Sequence, residues 1–278
     1  MFNITLMKQL NPLVVLMEID APFIAKKTKP GQFVILRIDE KGERVPFTVS
    51  STDAIKGRVT IIFQMVGKTT RMLGALKVGD QICDFVGPLG MPTELLGIKK
   101  VAVVGGGLGC AIAYPQARYL YEHGAEVDII AGFRTKDIII LEDELKACSN
   151  KLLICTDDGS YGEKGFVTNV LERRINEGAG YDCVIAIGPL PMMKFVSILT
   201  KKHNIKTIVS MNPIMIDGTG MCGGCRVTVG GKIRFACVEG PDFDGHQVDF
   251  DEAIKRLSTY KTEETQMLDH YCRLNGAV

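Results

Sequence analysis

The stretch VAVVGGGLG, Val101 to Gly109, decides the fold of the second half of this chain. Its apolar beginning predicts a buried strand, and its glycines predict a tight turn into a helix over roughly residues 111–122. Glycines let the backbone approach a pyrophosphate, whose charge is favoured at a helix amino terminus. Such turns also occur for packing alone. The nucleotide interpretation places cofactor contacts at Gly105, Gly106, Gly107, Leu108 and Gly109.

Further apolar runs follow the glycine turn and alternate with amphipathic stretches. The runs are EVDIIAGF, KLLICT, DCVIAIG and KTIVS, and the stretches between them include VTNVLERRINEG and PMMKFVSILTKKH. Strands that alternate with helices imply right-handed crossovers and a parallel sheet that is covered on both faces. We therefore expect a Rossmann-like α/β domain over residues 96–210.

Turns at the carboxyl ends of these strands offer further nucleotide contacts, because ligands bind at that edge of an open parallel sheet. Asp157 and Asp158 lie in CTDDGSYG, and Gly188 and Pro189 lie in AIGPLPMM. A dinucleotide fingerprint places an acidic residue about 20 residues after the glycines, but the turn AGFRTKD supplies Arg134 instead. An arginine there suits a 2′-phosphate, so the sequence does not decide between NADH and NADPH.

The first 95 residues show a different sequence pattern. Short β-rich runs such as LVVLMEI, QFVILRI, RVTIIFQMV and DQICDFVG are separated by turns rich in Pro, Gly and charge, which predicts a small antiparallel barrel or sandwich. Two stretches, ERVPFTVSS and MVGKTTRML, combine apolar residues with an arginine, hydroxyls and a glycine. Such a set can hold a flat ring system and its phosphates, or it can be an ordinary strand and turn.

A cysteine cluster in DGTGMCGGCRV marks residues 211–250 as a third unit. Cys222 and Cys225 are separated by two residues, and Cys237 follows after eleven more. Tetrahedral sulfur ligation suits zinc or an iron–sulfur cluster, and both need four ligands. In the plant-type two-iron spacing C-x4-C-x2-C, the first position falls on Asp217, whose carboxylate can ligate ferric iron. Zinc binding and a thiol redox pair remain alternatives.

Composition excludes several classes of function. Lys and Arg total 33 against 32 Asp and Glu, so we expect no electrostatic field for nucleic acid. No signal-peptide pattern and no run of about 18 apolar residues occurs, which predicts a cytoplasmic protein without a membrane segment. No nucleophile elbow is present and the four histidines lie apart, so we assign no catalytic residue. Residues 251–278 are expected to form a helical tail.

The order of barrel, nucleotide domain and cysteine cluster resembles the ferredoxin-NADP reductase superfamily, in particular its iron–sulfur electron-transfer subunits. Two types are similar over nearly the whole chain: the dihydroorotate dehydrogenase electron-transfer subunit, and the small subunit of NADH-dependent reduced ferredoxin:NADP⁺ oxidoreductase, also called sulfide dehydrogenase. The first type has a cysteine at the first ligand position. The second type has an aspartate there, as this sequence has in Asp217. The resemblance implies an antiparallel flavin-binding β-barrel, a parallel-sheet nucleotide domain and a small iron–sulfur segment.

The resemblance also implies cofactors and their residues. It implies that Asp217, Cys222, Cys225 and Cys237 hold a [2Fe-2S] cluster. It also implies that NAD(H), with NADP(H) as the alternative, binds at the glycine turn and at the turns that carry Arg134, Asp157, Asp158, Gly188 and Pro189. The FAD-binding positions it implies are Arg44, Pro46, Phe47, Thr48, Ser50, Gln64, Val66, Gly67, Thr69 and Thr70. One extra residue separates Arg44 from Pro46 compared with the family form R-P-x-S.

The implied function is electron transfer between NAD(H), FAD and the cluster, and then to or from a larger flavoprotein subunit with further iron–sulfur clusters. Ferredoxin is expected to act through that heterodimer, with flavin-based electron bifurcation as the joint activity. Three alternatives stay open: a dihydroorotate-type subunit, a stand-alone NAD(P)H or polysulfide reductase, and a zinc-stabilised nucleotide-binding module without redox activity.

Overall fold

A computed structural model describes residues 1–274 of the chain. Its first part is a seven-stranded sheet in which every neighbouring pair of strands is antiparallel. The strands are β1 Phe2–Asn11, β2 Val14–Asp20, β3 Phe33–Arg37, β4 Val45–Asp53, β5 Arg58–Gln64, β6 Gln81–Ile82 and β7 Asp84–Leu89. Two short helices accompany them, α1 Pro22–Ala25 and α2 Lys68–Gly74.

The chain itself brings the two edges of this sheet together. The strand order is β6-β1-β2-β5-β4-β3-β7, and Cys83 alone separates β6 at one edge from β7 at the other. The alternating side chains of β2 and β5 bury Met17, Ile61 and Phe63 inside the resulting barrel, since successive side chains of a strand point to opposite faces. The sequence run DQICDFVG thus forms two edge strands.

The second sheet has parallel neighbours except at one edge. Its parallel strands are β8 Lys100–Gly106, β9 Glu126–Phe133, β10 Lys151–Thr156, β11 Glu163–Lys164, β12 Cys183–Ile187 and β13 Lys206–Ser210. The order β11-β10-β9-β8-β12-β13 reverses between β8 and β12. This reversal creates a crevice at the carboxyl ends of β8 and β12, where open α/β sheets bind ligands.

Helices cover both faces of the second sheet, as the alternating pattern predicts. They are α3 Gly109–Glu122, α4 Glu142–Ala147, α5 Val167–Asn176 and α6 Leu190–Lys202, with a 3₁₀ turn at Lys136–Ile138. Their apolar stripes pack against the buried strands in two clusters, one on each side. The predicted fold class, an antiparallel barrel followed by a Rossmann-like parallel sheet, is confirmed.

The cysteine segment is joined to the second sheet. It contains the hairpin β14 Arg226–Val229 and β15 Lys232–Phe235, the short helix α7 Ala236–Glu239 and the strand β16 Asp242–Asp244. β16 pairs antiparallel with β13 and forms the outer edge of the sheet. The sequence pattern did not predict this edge strand, because a three-residue strand is too short to show periodicity.

The carboxyl-terminal stretch forms two helices, α8 Phe250–Leu257 and α9 Lys261–Leu274. A turn at Ser258–Tyr260 separates them, and α9 lies against α2 of the barrel. The part of the predicted tail beyond residue 274 lies outside the described residues. Within the described part of the chain, no helix has both the length and the apolar character needed to cross a bilayer.

Candidate functional site

The four predicted metal ligands lie as two close pairs. The Sγ atoms of Cys225 and Cys237 are 3.2 Å apart, and both side chains are buried. The Sγ of Cys222 lies 3.3 Å from Oδ1 of Asp217 on the more exposed side of the same loop. The fold therefore brings together residues 217, 222, 225 and 237, with two donors in each pair.

Asp217 organises the loop that carries the first cysteines. Its Oδ2 accepts hydrogen bonds from the backbone N–H groups of Met221, at 2.9 Å, and Cys222, at 3.1 Å, and its Oδ1 accepts one from Thr219, at 3.3 Å. Desolvation alone would raise the pKa of Asp217, but hydrogen bonds from Cys222 and Thr219 outweigh it and lower the pKa to about 2. The carboxylate is thus ionised, as a metal ligand must be.

In the buried pair, the surroundings of Cys237 favour its protonated thiol. Burial and the neighbouring Cys225 raise the pKa of the Cys237 thiol to about 12. The backbone N–H of Gly224 points to Sγ of Cys222 at 3.4 Å, and that of Cys237 points to Sγ of Cys225 at 3.5 Å. Amides directed at sulfur would stabilise the thiolates once a metal displaces the thiol protons.

The pairing distinguishes between the two kinds of metal site. Structural zinc needs four donors around one point, whereas a two-iron cluster needs two protein ligands on each of two irons. Within residues 1–274, no three His, Cys, Asp or Glu side chains converge on a single ion position. The pairs Asp217–Cys222 and Cys225–Cys237 match the two ligands per iron that a [2Fe-2S] cluster needs.

The glycines of the turn after β8 have different structural roles. A Cβ on Gly109 would lie 2.1 Å from the carbonyl oxygen of Ile187, so Gly109 permits close packing of α3 on β12. Gly107 has φ +56°, and a Cβ there would meet nothing within 4 Å. Gly107 thus leaves open space at the amino terminus of the 14-residue helix α3, where a phosphate can approach the backbone.

The second glycine turn meets the first at the crevice between β8 and β12. A Cβ on Gly188 would lie 3.1 Å from the backbone nitrogen of Gly106, and one on Gly106 would lie 3.1 Å from Cδ of Pro189. Leu108 precedes the first residue of α3, makes no side-chain capping hydrogen bond, and packs partly buried against the core on that side. The structure therefore assembles the predicted residues 105–109 and 188–189 at one edge of the sheet.

Arg134, Asp157 and Asp158 lie together beyond the ends of β9 and β10. The N–H of Asp158 donates to the carbonyl of Arg134 at 3.4 Å, and all three side chains are exposed. Hydrogen bonds from the hydroxyl and the backbone of Ser160 lower the pKa of Asp158. Asp158 thus shapes its own turn, while Arg134 stays available to a ligand.

The predicted flavin residues lie on β4 and around the start of α2. Phe47 is buried against Phe63, with ring centroids 5.7 Å apart, while Pro46 and Thr48 are partly exposed on β4. Thr70 accepts hydrogen bonds from the N–H groups of Val66 and Gly67 and so caps α2. Gln64 ends β5 and is partly exposed.

Two of the predicted flavin residues connect parts of the fold instead of facing open space. Ser50 is buried and donates to the carbonyl of Ala111 at 3.1 Å, which fastens β4 to α3. Arg44 donates from Nε to the carbonyl of Ile216 at 2.9 Å and from a terminal nitrogen to that of Asp217 at 3.4 Å. The spacing rules of the sequence could not show either long-range contact.

The sequence also did not point to three residues around these sites. Glu43 accepts a hydrogen bond from the hydroxyl of Thr69. Arg226 donates to the carbonyl of Gly223 at 2.8 Å, and Arg256 on α8 donates to that of Gly224 at 3.3 Å. In the sequence, an arginine on the polar face of a helix is ordinarily a solvated residue, so no local signal distinguishes Arg256, which the structure shows as partly buried.

Comparisons with known proteins agree with this geometry. The family model for the iron-sulfur cluster binding domain of dihydroorotate dehydrogenase B matches residues 212–249. A Thermotoga maritima protein named dihydroorotate dehydrogenase B (NAD(+)), electron transfer subunit homolog, is 46% identical over 258 residues, covering 93% of this chain and 91% of that protein. This chain belongs to the family of dihydroorotate dehydrogenase B electron-transfer subunits. The predicted superfamily and the oxidoreductase class are thereby confirmed.

Two further similarities extend over almost the whole length of this family member. An uncharacterised Clostridium beijerinckii protein encoded in the adh 3′ region is 51% identical over 272 residues, covering 95% of this chain and 92% of that one. A solved structure from work on flavin-based electron bifurcation by NADH-dependent reduced ferredoxin-NADP oxidoreductase is 44% identical, with a TM-score of 0.92 and 97% coverage of both chains. The whole architecture, cluster segment included, is therefore shared with that structure.

Proposed function

We propose that this chain is an electron-transfer subunit that moves electrons between NAD(H), FAD and a [2Fe-2S] cluster, and then to or from a larger flavoprotein subunit. The arrangement of the four metal donors in two pairs, on a loop that contacts the barrel, carries this proposal. When bound, the flavin exchanges hydride with the nicotinamide and single electrons with the cluster.

In this proposal the crevice between β8 and β12 holds the dinucleotide. Gly107 leaves room for the pyrophosphate beside the amino terminus of α3, where the helix dipole favours negative charge. Gly188 and Pro189 would bound the nicotinamide side, and Arg134 and Asp157 would contact the adenosine half along the same sheet edge. These residues bind and orient the cofactor, and none of them has to transfer a proton.

The barrel residues are proposed to hold FAD. Thr48 and Pro46 on β4 offer a partly exposed strand for the ring, and Gly67 has no neighbour within 4 Å of a Cβ position, which leaves space for the phosphates. The hydrogen bond from Ser50 to Ala111 fastens this strand to the nucleotide helix α3. That contact fixes the relative position of the two cofactor sites, on which hydride transfer depends.

Asp217, Cys222, Cys225 and Cys237 are proposed as the cluster ligands, and a neighbouring surface as the contact with the partner. Met221 and Ile216 on the ligand loop are 89% and 52% exposed. Exposed apolar side chains beside a redox centre are typical of a protein interface. We propose a larger flavoprotein and iron–sulfur subunit as the occupant, with ferredoxin served through the heterodimer and bifurcation as its joint activity.

A dihydroorotate-type complex is the second candidate, because the Thermotoga relative is named for dihydroorotate dehydrogenase B. The two candidates share every cofactor and differ in partner. Purification of the tagged chain from its native cell, followed by identification of the co-purified subunit, separates them. A dihydroorotate dehydrogenase catalytic subunit supports the second candidate, whereas a large subunit with its own FAD and iron–sulfur clusters supports the first.

Anaerobic titration with NADH tests the proposed electron path within this chain. We expect NADH to bleach the flavin bands first and the broad cluster absorbance after them. Cys225→Ala should lose the second phase and keep the first, and Cys148→Ala, which removes a buried thiol far from the loop in sequence, should keep both. A protein that binds NADH without any bleaching contradicts the proposed function.

A further inference from the structure

Three guanidinium groups donate hydrogen bonds to carbonyls of the ligand loop, residues 216–225. Arg44 reaches the carbonyls of residues 216 and 217 from the barrel, Arg226 reaches residue 223 from β14, and Arg256 reaches residue 224 from α8. Arg226 directly follows the loop in sequence and Arg256 lies on α8, whereas Arg44 comes from the amino-terminal barrel. Of the three, Arg44 makes the contacts that are longest in sequence.

Arg44 joins the ligand loop to the barrel. Its contacts span 172 and 173 residues of sequence and fall on the backbone of the proposed first ligand and of the residue before it. Next to them, Gly218 has φ +78°, and a Cβ there would lie 2.8 Å from Leu89 and 3.0 Å from Ile35. The loop thus lies directly on β3 and β7 beside Arg44.

The charge of Arg44 is only weakly compensated. Its acidic neighbour Asp84 lies 3.8 Å away but already pairs with Arg37 at 2.6 Å. Arg44 is one-third exposed, at 32% of its side chain, so solvent and salt screen part of its field. The remaining positive charge faces the loop that carries Asp217.

We infer that Arg44 is a positioning residue, which holds the first ligand of the cluster against the flavin barrel and raises the reduction potential of the cluster. The inference rests on the proposed function, since it needs a cluster at residues 217, 222, 225 and 237. Reduction adds one negative charge to the site, and a nearby fixed cation stabilises that added charge. The planar guanidinium fork also holds two carbonyls in a fixed geometry, which the flexible ammonium of a lysine does not impose.

Two variants separate position from charge. Arg44→Gln removes both the charge and the fork, whereas Arg44→Lys keeps the charge and loses the fork. Arg173→Gln is the matched control, because it also removes one guanidinium, whose partners Glu163 and Glu177 lie outside the barrel and the ligand loop. Each purified protein is compared for iron and FAD content, for the potential in an EPR-monitored redox titration, and for amide exchange of residues 216–222.

We expect the cluster of Arg44→Gln to be about tenfold harder to reduce, a downward shift of about 59 mV for a one-electron couple. Amide exchange of the loop should rise at least tenfold in both Arg44 variants, and the potential of Arg44→Lys should stay near that of the wild type. Loss of iron from Arg44→Gln, but not from Arg173→Gln, also supports the positioning role.

Two results would overturn the inference. In the first, Arg44→Gln keeps its cluster, and both its potential and its loop exchange equal those of Arg173→Gln and the wild type. In the second, Arg44→Gln loses FAD while the loop and the potential are unchanged, which assigns Arg44 to the flavin as the family resemblance implies. A wild-type protein without iron refutes the proposed function itself and is recognised before any variant is compared.

Discussion

The two glycines Gly107 and Gly109 should respond very differently to alanine, although they are two residues apart in the same turn. A Cβ at residue 109 would lie 2.1 Å from the carbonyl oxygen of Ile187, 2.7 Å from its carbonyl carbon and 2.8 Å from Cα of Gly188. These are backbone atoms that cannot rotate away, so α3 and β12 must separate. Within residues 1–274, a Cβ at residue 107 would have no heavy atom within 4 Å. The only expected cost of an alanine there is therefore the left-handed φ of +56°.

The expected magnitudes follow from these two geometries. Overpacking against backbone costs about 3 kcal/mol for Gly109→Ala. The left-handed conformation costs about 1 kcal/mol for Gly107→Ala, of which roughly half is offset by the lower entropy of the unfolded alanine chain. The two variants should therefore differ by more than about 2 kcal/mol in the free energy of unfolding.

Urea unfolding followed by circular dichroism measures this difference, since the chain has no tryptophan for fluorescence. With an m-value of about 3 kcal/mol/M, the midpoints of the two variants should differ by about 0.7 M. In contrast, Gly107→Ala should weaken NADH binding about tenfold, because the new methyl group occupies the space proposed for the pyrophosphate. Equal midpoints, or normal NADH affinity in Gly107→Ala, would refute the separation of roles.

Three further outcomes are expected. Arg174→Ala should lower the free energy of unfolding by about 3 kcal/mol, because Asp128 is fully buried and would lose its paired cation. Urea titrations measure this loss, and a loss below about 1 kcal/mol would show that the ion pair contributes little. Burial raises the pKa of Asp242, whose Oδ1 has no hydrogen-bond partner within residues 1–274. Its contribution to stability is therefore greatest below the unfolded pKa of about 3.9 and is lost as pH rises through the folded pKa. Asp242→Asn should flatten that decline in urea midpoints from about pH 4 to pH 8, and an unchanged slope would contradict it. Iron analysis should show loss of the cluster in both Asp217→Ala and Cys222→Ala and its retention in Asp217→Cys, whereas full iron in Asp217→Ala would show that the aspartate only organises the loop.

The parts of the fold that the sequence predicted are those with long periodic patterns. The apolar run into the glycine turn predicted β8 and α3, and the alternating pattern after it predicted the parallel sheet. The single run DQICDFVG was misleading in detail, because its strands pair with different partners on either side of Cys83. Pairing partners are a long-range property that local periodicity does not contain.

The candidate site shows the same limit. The spacing of Cys222, Cys225 and Cys237 predicted which residues meet, and the structure places those thiols and Asp217 together in pairs. The contact from Arg44 to the loop could not be predicted, because it joins residues more than 170 positions apart through backbone carbonyls, which are present at every residue. Side chains that bind backbone carry no pairing signal in a single sequence.

The metal and flavin content of the anaerobically purified wild-type protein tests the central claim most directly. Two irons and one FAD per chain are expected, with broad visible absorbance that dithionite bleaches and an EPR signal that appears on reduction. The two donor pairs, residues 217 with 222 and 225 with 237, predict this result. A colourless protein that contains one zinc ion and no flavin would contradict it.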